Sequence, residues 1–455
     1  MHVNTPLKDL IDRTALEELR SWLQQASSVE VADELARLDP GDRAVAFRLL
    51  GKDEAIIVFE ALPSEHQRTL LESLREDRVR ELVEEMSADD RARLLDEMPA
   101  KVAARLQQGL SRDERQATSA LLGYPSESAG RVMIPVSRTF RGDSTREQVL
   151  ESLSGESDRT GRLSVLLVTD ASRRLIGMTD LTQVVTSPPG TTVGELLAPD
   201  TYSVTADIGQ EEAARLIQEA DLFALPVLDS EERVLGLITV DDAMEILESE
   251  VTEDAYRSGG AEPIKVPYLS ATVFRLARTR AVWLLSLIVA AILTVNVLEF
   301  FEDTLESVVV LALFIPLLID TGGNAGSQAA SAVIRALALD EVRLRDLPRV
   351  VWREARVGLL LGLLLAAVGL PVAALFYGLD IGIIISLTLL VICTWACFVG
   401  GALPLIAQRL RIDPAVFSAP VVTTLVDATG LVIYFLIATA VLSGELNALG
   451  LVMGG

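Results

Sequence analysis

A single carboxylate stands near the middle of a long apolar stretch close to the end of the chain. Asp427 lies within residues 414–442, which contain no lysine, arginine or histidine. Thr423 and Thr424 precede it by four and three residues, so the three side chains share one face of a helix. A carboxylate at the centre of a bilayer costs about 2.5 kcal/mol or more and needs a water-filled path or a counter-charge. The pattern predicts a cation site or a proton relay at Asp427.

A second polar segment lies inside another apolar stretch, residues 307–334. Pro316 is followed by the run Asp320-Thr321-Gly322-Gly323-Asn324-Ala325-Gly326-Ser327-Gln328. Irregular backbone at membrane depth is tolerated only where protein or a water-filled lumen satisfies its polar groups. We therefore expect a broken helix that lines a lumen. A Pro/Gly kink with closely packed small residues is the alternative for the same run.

Five apolar stretches must position these polar groups. Each is free of lysine and arginine and is long enough to cross a hydrocarbon core of about 30 Å. They cover residues 281–298, 307–334, 357–378, 381–407 and 414–442. Arginines precede the first stretch and stand between the second and third and between the fourth and fifth. The positive-inside rule then predicts a multi-pass protein of the cell (inner or plasma) membrane, with a cytoplasmic N-terminus and an outside C-terminus.

The charge is divided unevenly along the 455 residues, whose formal net charge is −24. Residues 1–256 hold 50 acidic and 27 basic side chains, whereas residues 257–455 hold 14 and 13. This predicts a soluble acidic half joined to a membrane half. The acidic half would repel phosphate backbones, so we expect no nucleic-acid partner. The first twenty residues contain no apolar signal segment, which also predicts that this half stays in the cytoplasm.

The first 128 residues contain a repeat of 24 residues. Leu38, Leu62, Met86 and Leu110 recur at this interval, each just before a turn-like start such as Leu38-Asp39-Pro40. A repeat of this length that divides into two near-twelves predicts short helix pairs stacked into an all-α superhelix.

From about residue 130, short strands alternate with helices, and a second repeat appears with an offset of 59 residues. The segment 166–170 is followed by Gly177-Met178, and the segment 225–229 is followed at the same spacing by Gly236-Leu237. A helix is predicted before and after each unit. This βαββα tandem resembles a pair of CBS domains, a module that often binds adenine nucleotides between its two copies.

The second copy carries Gly236-x-x-Thr239-x-x-Asp242. This motif is similar to the ribose- and phosphate-contacting motif of CBS modules, which makes Thr239 and Asp242 candidates for binding ATP. The first copy has Asp180 and Gln183 at the matching places. We therefore expect at most one such nucleotide site.

Together these parts resemble the MgtE family of magnesium channels and transporters. The resemblance rests on Pro316 with Gly323-Asn324-Ala325-Gly326-Ser327-Gln328, and on Pro420 with Asp427-Ala428-Thr429-Gly430. It implies a multidomain membrane protein with an acidic helical domain, a tandem CBS pair, a connecting or plug helix and a five-helix transmembrane domain. The expected bounds of these parts are 1–129, 130–240, 241–270 and 271–455.

The resemblance also implies a homodimer in membrane lipid, with a pore on the two-fold axis lined by the second and fifth spans. Asp427 matches the pore aspartate that holds hydrated Mg2+ in the family. Other positions match the outer mouth, the pore wall and the inner mouth: Glu302 and Glu306, Ser327 and Ser331, and Asp413, respectively. Ser327 and Ala419 stand where the family has asparagine, so fine selectivity is expected to differ.

Acidic residues outside the spans match positions at which the family senses Mg2+. They are Glu211, Asp221, Asp242, Glu250, Glu253 and Asp254, to which we add Asp89 and Asp90 of the helical domain. Acidic faces repel when bare and dock when Mg2+ bridges them. Cytosolic Mg2+ is therefore expected to stabilise a closed state, and ATP at the CBS pair is a further expected modulator.

Three other classes of membrane protein are alternatives to this expectation. A membrane protease would need a His-Glu-x-x-His helix, and the spans contain no histidine, so the chain is not expected to be an enzyme. A chloride channel with CBS domains is disfavoured by Asp427. A proton-coupled carrier of Mg2+, Mn2+, Co2+ or Ni2+, with Asp427 as the protonatable group, remains the alternative.

Overall fold

The computed structural model of the chain describes residues 7–13, 15–96, 98–136, 138–154, 165–264, 268, 271–339, 341–417 and 419–448. The chain divides into two compact units. The first comprises Met1–Val251 with Lys265–Ala271, and the second comprises Thr252–Ile264 with Thr272–Gly455.

In the described part of residues 7–122, the first unit has ten short helices. They are α1 (Leu7–Asp12), α2 (Leu16–Gln25), α3 (Ser28–Arg37), α4 (Pro40–Phe47), α5 (Lys52–Glu60), α6 (Ser64–Ser73), α7 (Glu76–Glu85), α8 (Ala88–Asp96), α9 (Ala100–Gly109) and α10 (Arg112–Leu122). From α3 to α8, each helix packs against the helix two places further along the chain. The repeat leucines and methionine lie buried at the ends of α3, α5, α7 and α9. The predicted helical superhelix is thereby confirmed.

Four polar side chains recur at the same 24-residue interval and hold the helix ends together. Each side chain lies on an even-numbered helix and donates hydrogen bonds to carbonyl oxygens at the end of the preceding helix. The pairs are Arg43 with Leu35 and Leu38 at 2.9 and 2.8 Å, Gln67 with Phe59 at 2.7 Å, Arg91 with Val83 and Met86 at 2.7 and 2.6 Å, and Arg115 with Gln107 and Leu110 at 3.0 and 2.9 Å. The last carbonyls of a helix have no partner within it, so these side chains satisfy groups that the fold would otherwise leave open. We call this set the capping ladder.

His66 lies inside the same stack, on α6, and is only 5 % exposed. Its Nδ1 has no hydrogen-bond partner among the residues that the structure describes. Burial, together with the positive charge of Arg43, lowers the pKa of His66 to about 4. The imidazole is therefore neutral in the folded chain at neutral pH.

The remainder of the first unit is the predicted strand–helix tandem. Its elements are α11 (Ala129–Val132), β1 (Ile134–Pro135), β2 (Phe140–Arg141), α12 (Arg146–Leu153), β3 (Val165–Thr169), β4 (Leu175–Asp180), α13 (Leu181–Thr186), β5 (Val204–Thr205), α14 (Gln210–Glu219), β6 (Ala224–Leu228), β7 (Val234–Thr239) and α15 (Val240–Ser258). One sheet has the strand order β2-β3-β4 and the other has the order β1-β7-β6-β5. In each copy the central strand pairs in parallel with the strand before it and antiparallel with the strand after it. The 59-residue repeat thus describes two copies of one motif.

The second unit is dominated by long apolar helices. They are α16 (Val273–Phe300), α18 (Val310–Ala338), α19 (Leu347–Tyr377), α20 (Leu379–Arg409) and α21 (Ala419–Ala448), with the short helix α17 (Glu302–Ser307) between the first two. Within the described residues, five helices are long and apolar enough to cross a membrane. They coincide with the five predicted stretches.

The expectation of a broken second span is wrong. The structure has one continuous helix, α18, that runs through Pro316 and through the whole Gly-rich run. The glycines instead allow close packing: a Cβ on Gly322 would lie 2.5 Å from Cγ2 of Ile392, and a Cβ on Gly400 would lie 2.2 Å from the carbonyl oxygen of Gly326. Small residues therefore bring α18 against α20 and α21, as in other membrane helix pairs.

The capping ladder yields a stability prediction. Arg91 is buried, at 3 % exposure, whereas Arg115 is exposed and two of its three carbonyl contacts are open to solvent. Arg91→Met should destabilise α7 by about 2–4 kcal/mol because it leaves buried carbonyls without donors, and Arg115→Met should cost less than about 1 kcal/mol. Amide hydrogen exchange of the full-length chain measures both. Equal losses of protection for the two variants would contradict the role of burial.

His66 predicts a loss of stability in acid. Its ordinary pKa is 6.5, and the folded value is about 4, so the unfolded chain binds the extra proton between these limits. The stabilisation is present above about pH 6.5 and is lost as the pH falls, by about 2 kcal/mol at pH 5. Between pH 7 and pH 5, the free energy that protects the α6 amides from hydrogen exchange should fall by about 2 kcal/mol more in the wild type than in His66→Leu. Equal losses in the two proteins would exclude His66 as the cause.

Candidate cation sites

Asp427 lies half-buried on α21, against the glycine-rich face of α18. Its Oδ1 atom is 3.6 Å from the point where a Cβ would stand on Gly323, and Cγ2 of Thr423 is 3.0 Å from the same point. A side chain at position 323 would crowd both groups. The glycine therefore makes room for the carboxylate between the two helices.

The hydroxyl groups near Asp427 all donate back into their own helices. Thr423 and Thr424 donate to the carbonyl oxygen of Pro420 at 2.9 and 2.8 Å, and Ser327 donates to Gly323 at 2.8 Å. With the hydroxyl proton used in this way, the oxygen atom presents lone pairs to its surroundings. The predicted stripe of hydroxyls and carboxylate is thus an acceptor surface, suited to cations and to water molecules that donate.

One face of α18 is polar and exposed in the single chain. Asp320, Asn324, Gln328 and Ser331 follow one another at intervals of four, four and three residues, and all four are exposed. The opposite face is buried and consists of small and apolar residues. A helix that faces lipid has apolar residues on its exposed face, whereas α18 has polar residues there and apolar residues on its buried face. We call these four residues the polar face of α18.

The predicted mouth residues lie in two different settings. Glu302 and Glu306 are exposed, one turn apart on α17. Both oxygens of Asp413 have protein donors: the Ala415 N–H at 2.8 Å and the guanidinium of Arg257, which also pairs with Glu253. Arg257 therefore competes with any cation for Asp413 and Glu253.

The predicted acidic residues of the helical domain meet the second CBS copy. Arg93 on α8 bridges Asp90 of the same helix to Glu245 of α15, the latter at 3.0 Å. Burial raises the pKa of Asp242 to about 7, and the negative charge of Asp89 adds to the effect, although a hydrogen bond from Thr239 opposes it. The structure therefore brings Asp89, Asp90 and Asp242 close enough for their charges to interact.

The two predicted nucleotide-binding residues contact each other. The Thr239 hydroxyl at the end of β7 donates to Oδ2 of Asp242 in the first turn of α15, at 2.6 Å. Thr239 is buried, at 5 % exposure. Asp242 therefore belongs both to this motif and to the acidic contact with α8.

The other predicted sensor residues lie apart from these groups. Glu211 pairs with Arg215 on α14, and Glu250 accepts a hydrogen bond from Gln210 at 3.1 Å. Asp221 is exposed with a positive φ of 50°, and Asp254 is half-buried on α15. Within the described part of one chain, no three His, Cys, Asp or Glu side chains are arranged to hold a metal ion.

Sequence reasoning missed three residues that shape these sites. Arg93 and Arg257 hold carboxylates that the sequence marks only as acidic, and Asp320 faces the same side of α18 as Asn324 and Gln328. The interval of four residues between Asp320 and Asn324 was a signal for the polar face. No local signal links Arg257 to Asp413, because 156 positions separate them.

Comparison with known proteins covers both units. The model of the family "MgtE: Divalent cation transporter" matches residues 315–437, that of the "MgtE intracellular N domain" matches 26–127, and that of the CBS domain matches 182–249. The magnesium transporter MgtE of Thermus thermophilus is 38 % identical over 330 residues, which are 72 % of this chain and 73 % of the relative. That of Bacillus subtilis is 29 % identical over 73 % of each chain.

One solved structure resembles the first unit. It is the crystal structure of the cytosolic domain of the Mg2+ channel MgtE in complex with ATP, which is 31 % identical with a TM-score of 0.50. The match covers 53 % of this chain and 98 % of that one.

The fold and these sites define a multi-pass membrane protein with a helical repeat domain and a CBS pair on the same chain. The matched regions extend from the first repeats to the last membrane helix. The chain belongs to the MgtE family. This is a family of transporters, which confirms the prediction that the chain is not an enzyme.

Proposed function

We propose that the chain passes hydrated Mg2+ across the membrane along a pathway lined by α18 and α21, with Asp427 as its central ligand. The observation that carries this proposal is the position of Asp427, which is half-buried among apolar helices and seated against Gly323. Among the described residues of the five predicted stretches, none is lysine, arginine or histidine. The missing counter-charge is supplied by the transported cation.

The chemistry around Asp427 suits a hydrated ion. Mg2+ binds six oxygen ligands at about 2.0–2.1 Å and releases its water reluctantly. Its bound waters donate hydrogen bonds, and the oxygens of Thr423 and Thr424, whose protons go to the Pro420 carbonyl, can accept them. A pathway of this kind recognises the water shell and the charge rather than the bare ion.

A second copy of the chain completes this pathway. The polar face of α18 cannot be left in contact with lipid, because its amide and carboxylate groups would lose their hydrogen-bond partners. In a homodimer the faces of two copies meet around a two-fold axis, and both copies of Asp427 lie beside the ion path. The polar residues Ser327 and Ser331 then line the wall, with Glu302 and Glu306 at one mouth and Asp413 at the other.

The distribution of arginines supports an orientation for this dimer. The positive-inside rule places the N-terminal half in the cytoplasm and the C-terminus outside. The mouth that contains Asp413 and Arg257 is then the inner one. The first unit and its acidic residues then lie on the cytosolic side of the membrane, where cytosolic Mg2+ can reach them.

Cytosolic Mg2+ closes the pathway in this proposal. Asp89, Asp90 and Asp242 repel one another across the contact between α8 and α15, as the raised pKa of Asp242 indicates. A bound Mg2+ would remove that repulsion and favour the state in which the contact is intact. The remaining sensors are Glu211, Asp221, Glu250, Glu253 and Asp254.

ATP is proposed as a modulator of this closure. The matched cytosolic domain of the Mg2+ channel MgtE was crystallised with ATP, and the motif residues Thr239 and Asp242 are paired in this chain. A nucleotide that engages Thr239 and Asp242 would alter the charge that faces α8. Nucleotide and Mg2+ would therefore act on one shared carboxylate.

Transport into proteoliposomes tests the pathway. Asp427→Asn keeps the size of the side chain but removes its charge, and should reduce Mg2+ uptake by about tenfold or more. Asp380→Asn, at the exposed start of α20, is the matched control and should transport like the wild type. Normal uptake by Asp427→Asn would exclude the pathway.

The same assay separates the proposal from the proton-coupled carrier. Uptake is measured with and without an imposed pH gradient across the liposome membrane. A pore passes Mg2+ independently of this gradient, whereas a carrier that uses Asp427 as a protonatable group follows it. Uptake that follows the gradient would replace the first proposal with the second.

Closure by Mg2+ makes a separate prediction about Asp242. In the full-length protein without nucleotide, Asp242→Asn removes both a Mg2+ ligand and the repulsion that Mg2+ would relieve, so the difference in protease protection between Mg2+-free and Mg2+-saturated samples should shrink by about fivefold or more. Asp200→Asn, an exposed carboxylate of the first unit, is the control. An unchanged Mg2+ dependence in Asp242→Asn would remove this residue from the sensor.

A further inference from the structure

The polar face of α18 contains a second carboxylate at membrane depth. Asp320 is exposed in the single chain and lies in the middle part of α18, ten residues after its first residue, Val310. It precedes Asn324 by one turn of the helix.

Asp320 and Asp427 border the same space. The Asp427 carboxylate packs beside Gly323 of α18, and Asp320 is three residues before this glycine. Three residues correspond to about 4.5 Å of helix rise, and positions three apart are neighbours on a helix surface, so Asp320 adjoins the edge of the buried face that contains Gly323. The negative charge of Asp320 also acts on Asp427.

Two carboxylates in this position require a common counter-charge. Each ionised group costs about 2.5 kcal/mol or more in the centre of a bilayer, and their mutual repulsion adds to this cost. The described apolar stretches offer no basic side chain to offset it. A mobile divalent cation is the group that removes both penalties at once.

We propose that Asp320 is a second carboxylate of the ion pathway, and that it sets the affinity for divalent over monovalent cations. The inference rests on the proposed function, because it places Asp320 in the pathway that contains Asp427. With two copies of the chain, four carboxylates stand in two layers along the path, the Asp320 pair and the Asp427 pair. A hydrated divalent ion between the layers interacts with both, whereas a monovalent ion gains half the charge interaction at each.

The first test compares neutral variants in proteoliposomes. Asp320→Asn should still transport Mg2+, but its apparent KM for Mg2+ should rise by about fivefold or more, and Na+ should compete more effectively. Asp320→Glu should restore most of the wild-type KM. Asp380→Asn is again the control for loss of an exposed carboxylate in the second unit.

The second test restores the charge after folding. Asp320→Cys is reconstituted and its Mg2+ uptake is measured before and after treatment with the anionic reagent MTSES or the cationic reagent MTSET. The two native cysteines, Cys393 and Cys397, are buried at 0 % and 2 % exposure, and treated wild type controls for them. MTSES should recover uptake at low Mg2+, and MTSET should reduce it further. Because each sample is compared with itself, a folding defect cannot imitate this result.

The outcomes separate this inference from the proposed function. If Asp427→Asn blocks uptake while Asp320→Asn and both modified forms of Asp320→Cys match their controls in KM and in Na+ competition, Asp320 is outside the pathway and the inference is wrong. If Asp427→Asn transports normally, the proposed function fails and the inference fails with it.

Discussion

The missing counter-charge at Asp427 is the constraint on which the membrane unit depends. An ionised carboxylate among apolar helices needs space and a donor or positive charge beside it, and the described residues supply only the space. Gly323 provides the space, and threonine and serine hydroxyls turn their lone pairs outward by donating to their own helices. Close packing of Gly326 and Gly400 then fixes α18 against α20. The charge is left for a cation to neutralise.

The first unit also buries charged groups, which in this case are the side chains of two arginines. Arg43 and Arg91 are buried at 2 % and 3 % exposure, and burial lowers the pKa of both guanidinium groups. They remain charged because several carbonyl oxygens at a helix end share the positive charge of each. A planar guanidinium with five donors can satisfy two or three carbonyls at once, which a lysine cannot do in the same geometry.

Much of the architecture was predictable because it is repetitive. Apolar residues at intervals of 24 and 59, and five long apolar stretches, predict the superhelix, the tandem and the membrane helices, since each pattern reflects burial of a regular face. Arg43, Gln67 and Arg91 follow the same 24-residue interval, but a search confined to apolar residues overlooks it. Glycine in a membrane helix is compatible both with a break and with a close contact between helices. The Gly-rich run therefore predicts a broken helix where α18 is in fact continuous. The pairing of Arg257 with Asp413 depends on tertiary packing and leaves no trace in either local sequence.

The unbroken course of α18 has a consequence for how this protein family can diversify. Because most carbonyl groups of a continuous helix are used in its own hydrogen bonds, the chemistry that α18 would offer an ion in the proposed pathway comes mainly from side chains. Backbone carbonyls are the same whatever the gene encodes, whereas side chains change with single codons, and one nucleotide separates aspartate from asparagine. Ion preference in such a protein is therefore open to stepwise evolution on a rigid frame, without any rearrangement of the helices that form it.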